Sequence, residues 1–135
     1  MVTSTHPDLD ILKFVVNVEG REPDTVEVKG NDNIVFKIPE SSKYSMTVYF
    51  KVANNSLKGL KYKQVVKKAG IPFKTRELEF GADYDPSEEI YSKTFPEDET
   101  PGGYLIRGSY YATSTYYANG EELMVVDWTL EIVKK

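Results

Sequence analysis

A stretch near the middle of the chain alternates between apolar and polar side chains with almost no exception. In residues 44–52, YSMTVYFKV, the even-numbered positions are apolar and the odd-numbered positions carry a polar group. Residues two apart on a β-strand share a face. The stretch therefore predicts a strand with one buried face and one face in water, which has to be covered by a second layer.

A second alternating run covers residues 60–67, and a polar turn at 54–56 lies between the two runs. We predict that these two strands form an antiparallel pair. The residue mixture of 10 Tyr, 6 Phe, 7 Pro and 9 Gly, divided into short alternating runs, favours an all-β sandwich over helices.

The rest of the chain adds further strand signals. Residues 11–16 are apolar on both faces, Asn-Gly at 119–120 predicts a hairpin, and 104–117 is the longest strand candidate. Asp85-Pro86 favours a single helical turn. We expect eight or nine strands in one domain at residues 11–135, after a flexible lead-in at residues 1–10.

Composition excludes several classes of function. Cysteine is absent and the one histidine, His6, lies in the lead-in, so thiolate, triad and histidine-metal chemistry have no residues to use. We expect no enzyme, no metal and no cofactor. A formal net charge of -4 argues against a nucleic-acid partner. No stretch predicts a membrane helix or a secretion signal, so we expect a soluble, cytoplasmic protein.

Two charged features have more than one interpretation. A stripe of lysines fits a solvated strand face, or a contact for an acidic partner: Lys58, Lys61, Lys63, Lys67 and Lys68. Glu88-Glu89 and Glu97-Asp98-Glu99 could supply carboxylates for acid and base work, but both lie in predicted loops where solvated charge is the simpler interpretation.

Five motifs carry a resemblance to a known family. They are FKV at 50–52, GLKY at 59–62, KKAGI at 67–71, PGGYLIRGSY at 101–110 and DWTLEIVKK at 127–135. From about Leu12 to the C-terminus the chain resembles the Rho GDP-dissociation inhibitors. The resemblance implies an immunoglobulin-like β-sandwich of two antiparallel sheets with an apolar slot between them, which admits the geranylgeranyl group of a Rho- or Rac-type GTPase.

The resemblance also implies site residues. The prenyl pocket falls on residues that the alternation places on apolar faces: Phe14, Phe36, Tyr44, Phe50, Ile106, Ala112, Val126, Trp128 and Leu130. The alternation also predicts that Gly108 lies on the inward face of its strand, if Ile106 points inward. The acidic loop Glu97, Asp98 and Glu99 would contact the basic tail of the GTPase. Ser109 and Tyr91 match positions that some relatives phosphorylate.

Departures from the family pattern leave alternatives open. Val126 replaces the first of two tryptophans, Ala112 replaces a bulky aliphatic residue, and the regulatory N-terminal arm is absent or very short. We therefore expect a monomer that keeps prenylated Rho-family GTPases off membranes, with weak or no inhibition of GDP dissociation. One alternative is a broad prenyl or lipid-group chaperone resembling the delta subunit of rod phosphodiesterase. Another is an interaction domain with a filled core.

Overall fold

The computed structural model describes residues 4–103 and 106–135. Within these residues the chain forms strands and no helix. The strands are β1 (Leu9–Val18), β2 (Asp24–Glu27), β3 (Val35–Pro39), β4 (Lys43–Val52), β5 (Lys61–Lys68), β6 (Ile71–Glu79), β7 (Tyr91–Thr94), β8 (Asp98–Glu99), β9 (Gly108–Ala118) and β10 (Glu121–Val133).

These strands form two sheets that pack face to face, which confirms the all-β sandwich. The first sheet has the order β2-β1-β4-β7, and β8 also pairs with β4. The second has the order β3-β10-β9-β5-β6. All pairs are antiparallel except β3 with β10, which run parallel. These two strands are far apart in the sequence, so no short turn dictates an antiparallel direction.

The predicted antiparallel pairing of the runs at 44–52 and 60–67 is wrong. β4 pairs with β1 and β7 in the first sheet, whereas β5 pairs with β6 and β9 in the second. The connection 53–60 is longer than the roughly two to five residues of a hairpin loop. It buries Leu57 and carries the chain from one sheet to the other. The two apolar faces therefore face each other across the sandwich instead of lying side by side.

A bulge explains why the first strand is apolar on both faces in sequence. The register with β4 shifts between Ile11 and Lys13, so that Ile11 and Phe14 both point into the core although they are three residues apart. The strand begins at Leu9, before the predicted domain boundary, and the N–H of Ser4 donates to the carbonyl of Val125.

The predicted hairpin at Asn119-Gly120 is confirmed, with both residues at positive φ between paired Ala118 and Glu121. The predicted helical turn after Asp85 is wrong. The Asp85 carboxylate accepts a hydrogen bond from the Ser56 hydroxyl instead of capping a helix. Of the predicted long strand at 104–117, the structure describes β9 from Gly108 onward, and Ile106 and Arg107 lie outside a strand. Residues 104 and 105 lie outside the described residues.

Aromatic side chains fill much of the core between the sheets. At one end, Phe50 and Phe80 lie in edge-to-face contact with ring centroids 5.3 Å apart. At the other end, Phe36 makes edge-to-face contacts with Phe14 at 5.7 Å and with Trp128 at 4.9 Å. Within residues 4–103 and 106–135, no helix is long and apolar enough to cross a membrane.

Candidate functional site

A small cavity lies between the sheets at the end of the core that contains Phe36. Its volume is about 10 Å³, which is room for about one water molecule. Side chains from both sheets and from the connection 28–34 line it: Phe14, Val28, Ile34, Phe36, Met46, Tyr62, Gln64, Ser114, Tyr116, Val126 and Trp128. The sheets thus enclose a small, mainly apolar cavity here, and the prenyl slot expected from the sequence stays a prediction.

Four of the predicted prenyl-binding residues meet at this cavity. Phe14 comes from β1 of the first sheet, and Phe36, Val126 and Trp128 come from β3 and β10 of the second. All four are buried. The parallel pairing of β3 with β10 places Phe36 opposite Leu130, one inward position beyond Trp128. The second sheet therefore supplies most of the aromatic surface.

The other predicted residues lie outside the cavity wall. Phe50, Ala112 and Leu130 are buried elsewhere in the core, and Ala112 lies opposite Trp128 on the neighbouring strand. Tyr44 is buried beside the acidic segment, and Ile106 packs against the edge of the core. Gly108, expected on the inward face, is exposed and has a φ of 127°.

Sequence reasoning missed two buried polar side chains among the residues that line the cavity. Gln64 and Ser114 lie directly opposite each other on β5 and β9, and both are buried. The indole N–H of Trp128 donates to the Ser114 hydroxyl at 2.9 Å, and the Tyr62 hydroxyl donates to the Gln64 side-chain oxygen at 3.3 Å. The signal in the sequence was a glutamine and a serine at inward positions of otherwise apolar alternating runs.

The acidic segment 97–99 divides into one paired and two exposed carboxylates. Asp98 binds the ammonium group of Lys74 and the guanidinium group of Arg76, the latter at 3.1 Å. Lys74 and Arg76 belong to β6, so these ion pairs connect the edges of the two sheets. The side chains of Glu97 and Glu99 are exposed.

The surroundings of Asp98 shift two ionisation equilibria. Burial favours a higher pKa for Asp98, but hydrogen bonds from Lys74 and from the Glu99 backbone, together with the charges of Arg76 and Lys74, outweigh it, so the pKa of this carboxyl is lowered. Burial, reinforced by the charge of Asp98, raises the pKa of Tyr44 to about 12. The Tyr44 hydroxyl donates to Asp98 at 3.3 Å.

The two predicted phosphorylation positions differ in access. Ser109 is exposed at the start of β9, on the outer face of the second sheet. The Tyr91 hydroxyl donates to the carbonyl of Asp85 at 2.8 Å, and its ring lies 5.0 Å from that of Tyr84.

Among the described residues, no group of three or more acidic, histidine or cysteine side chains could hold a metal ion.

Of the five lysines of the predicted stripe, Lys61, Lys63 and Lys67 lie on the outer, solvent-facing side of β5, and Lys58 precedes this strand. Lys58, Lys61, Lys63 and Lys67 are exposed. Lys68 is half-buried, and its ammonium group lies 5.0 Å from the ring centroid of Tyr110. Lys61, Lys63 and Lys67 therefore lie on the opposite face of the second sheet from the cavity, whereas Lys68 lies on the same side as the inward-facing Tyr110.

The fold and the cavity define a two-sheet sandwich that encloses a mainly apolar space between its layers. A solved structure with this fold is the Niemann-Pick type C2 protein from Japanese carpenter ant, with a TM-score of 0.52 over 98% of this chain and 100% of that one. Its sequence identity of 9% supports the fold alone.

The sequence comparisons identify the family. The family model for the RHO protein GDP dissociation inhibitor matches residues 1–135, and the chain belongs to this family. It is 36% identical over 104 residues to the Rho GDP-dissociation inhibitor of Saccharomyces cerevisiae, covering 74% of this chain and 51% of that protein. It is 29% identical over 133 residues to Rho GDP-dissociation inhibitor 1 of Arabidopsis thaliana, covering 96% and 55%. The chain thus spans about half the length of these relatives.

Proposed function

We propose that this chain binds the geranylgeranyl group and the basic C-terminal tail of Rho- or Rac-type GTPases and keeps these proteins off membranes in the cytoplasm. The observation that carries the proposal is the apolar cavity between the sheets, walled by Phe14, Phe36, Val126 and Trp128. Membership of the Rho GDP-dissociation inhibitor family supports the GTPase as partner. We propose a complex of one chain with one GTPase.

The free energy gained by burying the lipid and the free energy cost of association are of similar size. A twenty-carbon chain carries roughly 15 kcal/mol of transfer free energy, at about 0.8 kcal/mol for each buried CH₂ group. Association costs roughly 4 to 15 kcal/mol. An apolar space inside the sandwich therefore competes with a bilayer by a narrow margin, so the packing around the lipid decides the affinity.

The cavity has to widen to admit a prenyl chain. Val28 and Ile34 form part of its wall and belong to the connection between β2 and β3. β2 and β3 are edge strands of different sheets, and residues 29, 30, 32 and 33 between them are exposed. Edge strands and exposed loops open at lower free energy than central strands. We therefore propose that the lipid enters where this connection lies.

For the GTPase tail, we propose Glu97 and Glu99 as the main contacts. Their carboxylates face the solvent, whereas Asp98 already has two cationic partners. A basic tail would bind Asp98 only in exchange for Lys74 or Arg76. We also propose that residues 1–135 inhibit GDP dissociation weakly or not at all, because the proposed site would contact the lipid of the GTPase and not its nucleotide.

A partition experiment tests the proposal. A geranylgeranylated Rho-type GTPase is bound to anionic vesicles, the chain is added, and the GTPase in the supernatant is measured after sedimentation. We expect the wild type to release the GTPase. Val126→Phe places a ring in the cavity and should abolish release, while Val125→Phe, the same substitution on the outer face of β10, should not.

Two results would contradict the proposal. Release by Val126→Phe as efficient as by the wild type would exclude the cavity as the lipid site, provided that circular dichroism shows the variant to be folded. No release by the wild type would favour an interaction domain with a filled core, which is consistent with a cavity of about 10 Å³.

A further inference from the structure

The outer face of the second sheet, which points away from the cavity, carries charges that alternate from strand to strand. Paired residues of neighbouring strands share a face, so the registers show which side chains point outward. The outward charges are negative on β6, positive on β5, negative on β10 and positive on β3, whereas the outward residues of β9 are serine, threonine and tyrosine. The charged residues are Glu77 and Glu79 on β6, Lys61, Lys63 and Lys67 on β5, Glu122, Asp127 and Glu131 on β10, and Lys37 on β3.

This pattern reverses its sign about β9, the middle strand of the sheet. Two copies packed face to face, with a twofold axis running along β9, would place β5 of each copy over β10 of the other, and β6 over β3. Each charged strand then meets a strand of opposite charge. A twofold axis running across the strands would instead place each strand over its own copy, so that like charges meet. The face is thus complementary to itself in the first arrangement and not in the second.

The register also brings individual charges to the same level along the strands. Lys61 and Glu122 are both paired with Tyr117, one from each side. In the first arrangement, Lys61 of one copy therefore lies opposite Glu122 of the other. Lys67 is one outward position away from the level of Glu131, which is about 7 Å along the strand. A lysine side chain is long enough to bridge this offset.

On β9 the face offers an aromatic anchor beside a groove. Tyr111 points outward from this strand and is 57% exposed. The groove next to it has a volume of about 580 Å³. Its walls are Val65, Lys67, Ala69, Gly70, Ser109, Tyr111 and Thr113. Tyrosines are enriched among the residues that anchor protein interfaces, and twofold symmetry offers each ring the groove of the other copy.

The area of the face is sufficient for a weak dimer. The outward part of β9, residues 109–117, is about 27 Å long at about 3.4 Å per residue. Five strands spaced by about 4.8 Å make the sheet about 24 Å wide. Because β3 is shorter than β9, two such faces would bury roughly 1,000 to 1,300 Å² in total. This range is the lower limit of specific interfaces, so we expect a dissociation constant in the micromolar range.

We propose that two copies of this chain form a dimer through the outer faces of their second sheets, with the twofold axis along β9 and with Tyr111 of each copy in the groove of the other. The lysines of β5 then face the carboxylates of β10 on both sides of the axis. The dimer would replace the monomer that the sequence predicts. The interface and the cavity lie on opposite faces of the second sheet, so each copy keeps its proposed lipid site, and this proposal does not depend on the proposed function.

Sedimentation equilibrium of the chain at about 1 to 500 µM tests the dimer, because this range brackets a micromolar dissociation constant. We expect the average mass to rise with concentration from that of one chain towards twice that value. A mass that stays at one chain over the whole range would overturn the proposal. A mass that rises beyond two chains would also overturn it, since an interface with twofold symmetry is closed.

Charge reversal tests the arrangement of the strands. One variant carries Lys61→Glu and Lys67→Glu, and the other carries Glu122→Lys and Glu131→Lys. Each variant opposes like charges in its own dimer, so we expect it to self-associate at least about tenfold more weakly than the wild type. In a mixture, the acidic β5 of the first variant faces the basic β10 of the second, and the acidic β10 of the first faces the basic β5 of the second. The mixture should therefore dimerise about as tightly as the wild type, and its failure to do so would overturn this arrangement.

The matched control for charge is Lys13→Glu with Lys51→Glu, which makes the same change in net charge on the outer face of the first sheet. It should dimerise like the wild type. If it weakens the dimer as much as the reversal on β5, net charge alone governs the association and the proposal is overturned.

Tyr111→Ala tests the anchor and should weaken the dimer at least about tenfold. Tyr49→Ala, the same substitution on the outer face of the first sheet, should leave the dimer unchanged. Circular dichroism checks that both variants are folded, and unchanged dimerisation of Tyr111→Ala would overturn the assignment of this residue. Neither tyrosine lines the cavity. A failure of dimerisation therefore leaves the proposed function standing, and a failure of GTPase release leaves the dimer standing.

Discussion

Replacing Asp98 by asparagine should destabilise the sandwich by removing one charge that joins its two sheets. Asp98 lies on β8 and pairs with β4 in the first sheet, while its partners Lys74 and Arg76 lie on β6 at the edge of the second. Asparagine has nearly the same shape and keeps one oxygen as an acceptor. The substitution therefore tests the charge and not the packing.

The magnitude follows from the burial of the three groups. The exposed fractions are 22% for Asp98, 36% for Lys74 and 20% for Arg76. Removing one partner of a fully buried pair costs about 3–5 kcal/mol, whereas a fully exposed pair contributes about 0–1 kcal/mol. For this partly buried cluster we expect a loss of about 2 kcal/mol in the free energy of unfolding.

The dependence on pH provides a second test with a definite sign. The pKa of Asp98 is lower in the folded protein than in the unfolded chain, so the ionised form favours folding. This stabilisation is complete above the pKa of the unfolded carboxyl, about 3.9. It is lost as the pH falls through the folded pKa. The difference between wild type and Asp98→Asn should therefore shrink in acid.

Urea unfolding, followed through Trp128 at neutral and at acidic pH, measures both effects. Glu97→Gln and Glu99→Gln are matched controls, since they remove exposed carboxylates from the same segment and should change stability by at most about 0.5 kcal/mol. The reasoning is refuted if Asp98→Asn unfolds at the same urea concentration as these controls, or if its deficit does not decrease in acid.

Three further predictions concern other parts of the core. Tyr116→Phe should raise the free energy of unfolding of the empty protein by about 1 kcal/mol, because it removes an unpaired buried hydroxyl; a loss of stability in urea would show that the hydroxyl has a partner. In an ultraviolet titration of the folded protein, Tyr44 should ionise at a pKa of about 12, and its ionisation near the ordinary tyrosine value would contradict its burial. Phe36→Ala should cost about 3–5 kcal/mol in urea unfolding, since Phe36 contacts both Phe14 and Trp128, whereas a cost under about 1 kcal/mol would mean that this end of the core is loosely packed.

Local patterns were enough to predict which face of β4 is buried and where the hairpin between β9 and β10 turns. The alternation in residues 44–52 gave the inward residues of β4 correctly, and Asn-Gly at 119–120 gave the hairpin between β9 and β10. Both features depend on residues that are close in sequence. The sheet to which a strand belongs depends instead on residues that are far apart in sequence. The assignment of β4 and β5 to one sheet failed for that reason.

The cavity shows the same division between local and long-range information. Alternation identified Phe14, Phe36 and Trp128 as inward residues, and the structure brings them together at the cavity. Phe50 has the same inward pattern, but it lies in the other aromatic cluster because β4 crosses the whole sandwich. Which aromatic cluster an inward residue joins depends on its position along the strand. That position is set by the register between paired strands, and a bulge such as that in β1 changes the register.

The two buried polar residues beside the cavity were harder to foresee because their pairing depends on which strands are neighbours. Gln64 and Ser114 are about fifty residues apart and become partners only through the pairing of β5 with β9. In the sequence, each is a single polar residue in an apolar run. Their position side by side, next to Tyr116, follows from the sheet order.

The most direct test of the central claim is a fluorescence titration of the chain with C-terminal GTPase peptides, read through Trp128 in the cavity wall. The peptides are geranylgeranylated, farnesylated and unprenylated, and a labelled peptide with Trp128→Phe serves as control. We predict saturable binding of the geranylgeranylated peptide, much tighter than that of the unprenylated one. Equal affinities for these two peptides, or no saturable change at micromolar concentrations, would contradict the account.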